Sequence, residues 1–167
     1  APVISVAWHP SGGMVGTLTQ DATAWVWRRD GGQPVARVPS QAGSFNDYLS
    51  FGIVFSPDGN RFLAGSVRGG ARLCETDGGR QVGKPFGNPA DKSLAVGFSP
   101  DGRQVVIADT TAVHVWDAAT GERVATPVQR VDNITSVATA PDRRSFLVGE
   151  MFTGNVHLWH ARTGGLM

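Results

Sequence analysis

The sequence predicts an all-β fold in which one unit of about forty residues, built of short antiparallel strands, is used four times. A proline-led turn recurs every 41 to 47 residues, at Pro10, Pro57, Pro100 and Pro141. Sixteen to eighteen residues after each turn proline stands Trp27, Cys74, Trp116 or Trp159. A glycine follows five residues later, at Gly32, Gly79, Gly121 and Gly164. Marks that repeat in phase indicate a repeat architecture, here one domain over 1–167 with units at 1–43, 44–87, 88–129 and 130–167.

The third unit shows the predicted strands most clearly. Residues 94–98 alternate large and small side chains with period two, as a half-buried strand does. Residues 99–102, Ser-Pro-Asp-Gly, form a turn, because proline presets φ, aspartate bonds nearby backbone and glycine accepts positive φ. A second strand over 105–108, a third over 113–116 and a looser fourth over 123–128 follow. Four antiparallel strands without helical periodicity predict one blade of a β-propeller.

The other units fit the same template, so we expect about four consecutive blades, three complete and the fourth lacking its outer strand. Alternating apolar side chains on the first and third strands should form the core between stacked blades. On the first strands these residues are Val6, Trp8, Ile53, Phe55, Val96, Phe98 and Val137. On the third strands they are Ala24, Val26, Ala71, Leu73, Val113, Val115, Val156 and Leu158.

The composition excludes several partner classes. Hydrophobic residues make up 41% of the chain, charged residues only 17%, and the net charge is +1. The arginines are scattered, so no electrostatic argument favours nucleic acid or an anionic membrane. No apolar stretch has the length of a membrane span, and residues 1–11 do not resemble a signal peptide. We expect no membrane or nucleic-acid partner and a cytoplasmic location.

The third unit also carries a recognisable set of short motifs. They are Phe98-Ser99-Pro100-Asp101-Gly102, Val115-Trp116-Asp117 and Thr120-Gly121. With four phased copies from residue 3 to residue 164, the chain resembles the WD-repeat β-propeller family, in the style of its bacterial members. The resemblance implies a non-catalytic scaffold for protein–protein interaction. Most propellers of the family resemble seven-bladed rings, so four units look like part of a larger propeller.

The chain departs from the family pattern at polar positions. The Trp-Asp dipeptide is intact only at Trp116-Asp117. Blades of the family often hold a buried network of histidine, serine or threonine, aspartate and tryptophan. The positions of its histidine are occupied here by Asn46, Pro89 and Arg130, and Asp21 stands without that histidine. We therefore expect these blades to depend on apolar packing and on the shape of tryptophan, with modest stability.

An arc of four blades would expose an apolar face at each end. Burial of such a face should contribute as much as the net stability of a whole domain, about 5–15 kcal/mol. We therefore expect both ends to be covered, by the remaining blades of a parent chain or by a second copy. Strand-like sequence begins at once after Ala1 and Pro2, which suggests a piece of a longer protein.

The residues that could carry chemistry favour structural roles. His114 and His157 occupy matching third-strand positions in different units, so a metal site would have to bridge two blades. Cys74 stands in a tryptophan position and is expected to be a small buried hydrophobe rather than a nucleophile. No paired carboxylates recur at a spacing suited to acid–base work. We expect no catalytic residue, no metal and no cofactor.

Partner binding has more support, from loops that differ between units. The loops that join one unit to the next should gather on one rim of a propeller, and an apolar hairpin tip lies in the fourth unit. The candidate partner-binding residues are Phe45, Asp47, Tyr48, Asp91, Lys92, Asp132, Asn133, Met151 and Phe152. Aromatic side chains of this kind anchor partners, although the same loops could simply pack over their own blades. The sequence predicts a scaffold that binds a peptide or protein. The alternative is a propeller enzyme or small-ligand binder that uses the acids Asp47, Asp91 and Asp132.

Overall fold

The structure, a computed structural model, describes residues 1–39, 52–66, 70–87, 93–109, 112–124, 134–140, 144–150, 153–160 and 167. These ranges contain thirteen strands and no helix, which confirms the all-β prediction. The strands form four antiparallel sheets in chain order. Sheet 1 holds β1 (Val3–Trp8), β2 (Met14–Thr19), β3 (Ala24–Arg28) and β4 (Ala36–Val38); sheet 2 holds β5 (Ile53–Phe55), β6 (Arg61–Ser66) and β7 (Gly70–Glu75); sheet 3 holds β8 (Ser93–Phe98), β9 (Gln104–Asp109) and β10 (Val113–Asp117); sheet 4 holds β11 (Ile134–Thr139), β12 (Ser145–Glu150) and β13 (Val156–His160).

All four sheets have the same strand register. The residue two before each turn proline is paired with the residue five after it, as Trp8↔Val15, Phe55↔Phe62, Phe98↔Val105 and Thr139↔Phe146. That second residue is paired with the tryptophan or cysteine of the third strand, as Val15↔Trp27, Phe62↔Cys74, Val105↔Trp116 and Phe146↔Trp159. The repeat read in the sequence is therefore a repeat of backbone pairing.

The turn between the first two strands is closed by side-chain hydrogen bonds. In sheet 2 the Ser56 hydroxyl donates to Asp58 Oδ1 over 2.6 Å and accepts the Arg61 N–H over 3.0 Å. The Ser56 bond, with smaller contributions from Asn60, holds the pKa of the Asp58 carboxyl below its ordinary value, against the opposing effect of burial. Sheet 3 repeats the turn with Ser99 and Asp101, 2.6 Å apart. These bonds are the physical content of the Ser-Pro-Asp-Gly signature.

In sheet 2 the fourth strand is weaker than the sequence predicted. Among the described residues a complete fourth strand occurs in sheet 1, sheet 2 has the isolated bridges Ala71↔Phe86 and Cys74↔Gln81, and sheet 3 has Trp116↔Arg123. The rest of the predicted fourth strand of sheet 3, residues 125–128, lies outside the described residues. Glycine and proline between residues 78 and 87 explain the interruption in sheet 2, because they disfavour a regular ladder. One equivalent backbone bond nevertheless occurs in every unit: Val35, Val82, Val124 and Met167 donate to Val26, Leu73, Val115 and Leu158.

Three apolar cores lie between neighbouring sheets. Each core combines residues from two consecutive sheets, so the sheets are stacked in chain order. On sheets 2 to 4 we call the side turned towards the sheet before it in the chain the preceding face, and the other side the following face. On sheet 1 the following face is the side packed against sheet 2, and the preceding face is the opposite side. The core between sheets 2 and 3, for example, joins Leu63 and Leu73 of the following face to Val96 and Phe98 of the preceding face. Burial between sheets is what the period-two alternation predicted.

Three predicted core residues are exposed, and their position in the stack explains why. Val6 and Trp8 belong to the preceding face of sheet 1, and Val156 belongs to the following face of sheet 4. Their counterparts in the inner sheets are buried, because those sheets have a neighbour on that side. The prediction was therefore wrong for these residues at the two ends of the stack, while the alternation that placed them on these faces is correct.

The first strands lie side by side, and contacts between the proline-led turns show that β1, β5 and β8 run in the same direction. β1 lies against β5, β5 against β8 and β8 against β11. At one end the Nε2–H of His9 donates to the Gly59 carbonyl over 2.9 Å, joining two proline-led turns. At the other end the Ile53 N–H donates to Ser5 Oγ over 3.3 Å. We call the first end the turn end and the second the connection end, where the first strands begin.

Candidate functional site

The residues that the sequence nominated for partner binding lie outside the described residues. They are Phe45, Asp47, Tyr48, Asp91, Lys92, Asp132, Asn133, Met151 and Phe152. Along the chain, however, two of these pairs immediately precede described strands, since residue 92 is followed by β8 and residue 133 by β11. The starts of β8 and β11 lie at the connection end. That end is therefore where the structure bears on the candidate site.

An acidic residue and a histidine meet at the connection end of sheet 3. Asp109 ends β9 and is paired with Ser93, the first residue of β8. Its Oδ2 lies 2.5 Å from His114 Nε2 on β10, and its Oδ1 accepts the Ala112 N–H over 2.8 Å. Arg123 donates to the other ring nitrogen of His114. Because a carboxylate only accepts and a guanidinium only donates, His114 carries its proton on Nε2 in this arrangement.

Sheet 4 has the same combination at the equivalent place. Glu150 ends β12 and is paired with Ile134, the first residue of β11. Its Oε1 lies 3.2 Å from His157 Nε2, while its Oε2 accepts bonds from Thr153 and Asn155. The Thr153 hydroxyl above all, helped by His157 and Asn155, keeps the pKa of the Glu150 carboxyl below its ordinary value, although burial opposes this. The acid–histidine pair is thus a feature of two consecutive units.

The two earlier units use other residues in the histidine position. Sheet 1 has Trp25 there, with the Arg37 guanidinium 5.1 Å from the centre of its ring. Sheet 2 has Arg72, whose Nη1 donates to the Pro39 carbonyl of the neighbouring unit over 2.6 Å. Burial lowers the pKa of the Arg72 guanidinium. This column of side chains therefore carries the strongest chemical variation between otherwise similar sheets.

Sequence reasoning noticed the matching histidines but missed their acidic partners. The signal was present, since Asp109 and Glu150 are the last residues of equivalent second strands. What the sequence does not reveal is that each acid and its histidine face one another across the hairpin. Within the described ranges no group of three or more histidine, cysteine or acidic residues could hold a metal ion. The arrangement offers paired hydrogen-bonding groups, with His157 the more exposed of the two histidines.

Cys74 is buried, as the sequence predicted. It lies on the preceding face of sheet 2, in the core shared with sheet 1. Burial raises the pKa of its thiol to about 11, with a smaller opposing effect from Arg72. A thiol with so high a pKa is largely protonated at neutral pH and is a poor nucleophile.

A second surface of interest is the preceding face of sheet 1, which is rich in tryptophan. The Trp25 and Trp27 rings are stacked with centroids 5.6 Å apart, and the Trp27 indole donates to Thr17 Oγ1 over 3.1 Å. Trp8, on the neighbouring first strand, is exposed. Trp25 and Trp27 are half-buried. Exposed aromatic surface beside them, as at Trp8, is typical of an interaction surface.

No protein-family model and no curated protein matches the chain. In the part of the chain that the structure covers, no helix is long and apolar enough to cross a membrane.

Proposed function

We propose that the chain is a segment of a WD-repeat β-propeller that acts as a non-catalytic interaction scaffold and binds a peptide or protein partner at its connection end. The family assignment is supported by the phased motifs and by the identical register of the four sheets. Side-by-side first strands are what propeller blades would have around a common axis.

The observation that carries the binding proposal is the shared direction of the first strands. Because β1, β5 and β8 start at the same end, and β11 has the same register within its sheet, the segments between units lead into that end. Those segments differ in sequence while the sheets keep one design, and binding residues are often placed on variable connections of a rigid scaffold. The column with Trp25, Arg72, His114 and His157 adds a second variable element beside them.

The experiment is a peptide-display selection on the immobilised chain, followed by affinity measurements on the selected peptides. Replacing Tyr48 and Asp132 by alanine should weaken binding at least about tenfold, or about 1.4 kcal/mol. Asp30→Ala, in an exposed turn after β3 at the turn end, is the matched control and should leave the affinity unchanged. Equal affinities for the chain and the Tyr48→Ala/Asp132→Ala variant would count against a partner site on these connections.

The acid–histidine pairs favour one second candidate, a propeller that binds a small ligand or metal, or performs chemistry, with acidic residues of the rim. Asp109 and Glu150 stand at the end of the stack into which the segments with Asp91 and Asp132 lead. A thermal-shift screen with divalent cations tests it, since a ligand that binds only the folded state raises the melting temperature. A shift that disappears in the Asp91→Asn/Asp132→Asn variant supports this candidate. The absence of a shift with every cation would remove its metal-dependent form.

A further inference from the structure

The two outermost sheet faces are exposed although they carry the residue pattern of an internal junction. On the preceding face of sheet 1, Val6 is 66% and Trp8 65% exposed, whereas the equivalent Val96 and Phe98 of sheet 3 are buried. On the following face of sheet 4, Val156 is 64% and Leu147 40% exposed. The residues equivalent to these two in sheet 2, Ala71 and Leu63, are buried.

The junction between sheets 2 and 3 is a template for what these faces can contact. Sheet 2 contributes Leu63, Ala71 and Leu73 from its following face. The preceding face of sheet 3 contributes Val96, Phe98 and Val105, with Trp116 packed at the side. In the same register, sheet 4 presents Leu147, Val156 and Leu158, and sheet 1 presents Val6, Trp8, Val15 and Trp27. At these positions the residue types are the same or slightly larger. Thr17 and Arg29 stand where the template has Ile107 and Ala118, so the exposed faces match in the rest of the apolar junction.

The two kinds of face are not interchangeable. At the junction of sheets 1 and 2, a Cβ atom on Gly16 would lie 2.8 Å from Ile53 Cδ1 and 3.1 Å from the Phe55 ring. At this junction a small residue of the following face lies against large residues of the preceding face, whereas Leu63 and Leu147 stand at the same position in sheets 2 and 4. On their second and third strands the following faces of sheets 1, 2 and 4 share side chains without aromatic rings, while every preceding face carries aromatic residues. Two copies of sheet 1 placed face to face would instead oppose tryptophans with tryptophans. Close packing favours the pairing of opposite kinds.

We propose that sheet 4 of one copy of the chain packs with its following face on the preceding face of sheet 1 of a second copy. The contact is head-to-tail, so it produces a closed ring or an open series of copies. It uses surfaces other than the connection end and stands independently of the proposed partner binding.

Sedimentation velocity over a range of concentrations tests the contact. The chain should sediment as a species larger than a monomer at micromolar concentration. Trp8→Glu places a charge only on the preceding face of sheet 1, and Leu147→Glu places one only on the following face of sheet 4. Each variant should be monomeric. Both side chains are exposed, so neither substitution should unfold a sheet. Mixing the two variants should restore a dimer. The following face of sheet 4 is intact in Trp8→Glu, and it can pack on the preceding face of sheet 1, which is intact in Leu147→Glu.

The control is Val124→Glu, which changes an exposed apolar residue of an inner unit and should leave the assembly unchanged. If the unsubstituted chain is monomeric, the proposal is overturned. Assembly of the Leu147→Glu variant by itself would indicate a symmetric contact between the preceding faces of two copies of sheet 1, and it would also overturn the proposal. If the unsubstituted chain is monomeric and Trp8 is still protected from hydroxyl-radical oxidation, the preceding face of sheet 1 is covered by the same chain rather than by a second copy.

Discussion

The tryptophans of the third strands have equivalent positions but unequal hydrogen bonding. The indole N–H of Trp27 donates to Oγ1 of Thr17, which lies on the neighbouring strand β2. The positions equivalent to Thr17 are Ile107 in sheet 3 and Val148 in sheet 4, neither of which can accept. The indole N–H groups of Trp116 and Trp159 are accordingly buried without a partner among the described residues. An unpaired buried donor costs about 1–3 kcal/mol.

Supplying the missing acceptor should recover part of that cost. In Val148→Thr the new hydroxyl can take the place relative to Trp159 that Thr17 has relative to Trp27. Val106→Thr, in the same core but on the following face of sheet 3, is the matched control. We expect Val148→Thr to be more stable than Val106→Thr by about 1–3 kcal/mol in urea unfolding. Equal stability of the two variants would show that Trp159 has an acceptor already.

The serine–aspartate turns should make stability depend on acid pH. Because the pKa of Asp58 is lowered in the folded chain, its carboxylate stabilises the fold above the ordinary value of 3.8, and this contribution is lost as the pH falls through the lowered pKa. The stability advantage of the parent over Asp58→Asn should therefore shrink between about pH 5 and pH 2. Ser56→Ala, which removes the main cause of the shift, should cost about 1 kcal/mol at neutral pH and weaken the dependence. An advantage that does not change with pH would contradict this account.

At the scale of the sheet, a constant register accommodates different chemistry at the hairpin between the second and third strands. The connection-end hairpins of sheets 3 and 4 are each bridged by an acid and a histidine, over 2.5 Å and 3.2 Å. In sheet 1 a threonine and an aspartate, Thr19 and Asp21, bond to each other and to the turn backbone instead. Local side-chain bonds of either kind close the hairpin without altering the strands.

A double-mutant cycle measures the bridge in sheet 3. Asp109→Ala and His114→Ala should each destabilise the chain, and together they should cost less than the sum of the single losses. The coupling free energy for residues in one hydrogen-bonded network is expected to be about 0.5–3 kcal/mol. Unfolding in urea provides the four free energies. Losses that add to within about 0.3 kcal/mol would mean that the two side chains contribute separately.

At the scale of the molecule, stability resides in the junctions between sheets rather than in any single sheet. Each of the three cores draws its buried residues from two sheets, and the isolated sheet has two apolar faces. Repeat proteins of this kind gain stability unit by unit, through contacts with the next neighbour. The preceding face of sheet 1 and the following face of sheet 4 are therefore the surfaces on which we expect a further sheet to pack.

Much of the fold was predictable because burial between sheets imposes period two along every strand. The turn signatures and the third-strand marks located the sheets, and Cys74 proved to be buried in a tryptophan position. Alternation alone did not predict the exposure of Val6 and Trp8, since a strand pattern does not say whether a neighbouring sheet is present. The count of four units did predict it, because an open arc has an apolar face at each end. The pairing of Asp109 with His114 was missed because it depends on side chains meeting across a hairpin, and the interruption of the fourth strand in sheet 2 depends on local glycine and proline.

The most direct test of the stacked-sheet account compares Val6→Ala with Val96→Ala by urea unfolding. The two valines occupy the same repeat position, but only Val96 has a sheet packed on its face. In the Leu147→Glu background, which prevents association between copies, Val96→Ala should cost about 2 kcal/mol and Val6→Ala less than about 0.5 kcal/mol. Equal losses at the two positions would contradict the stacking of sheets in chain order.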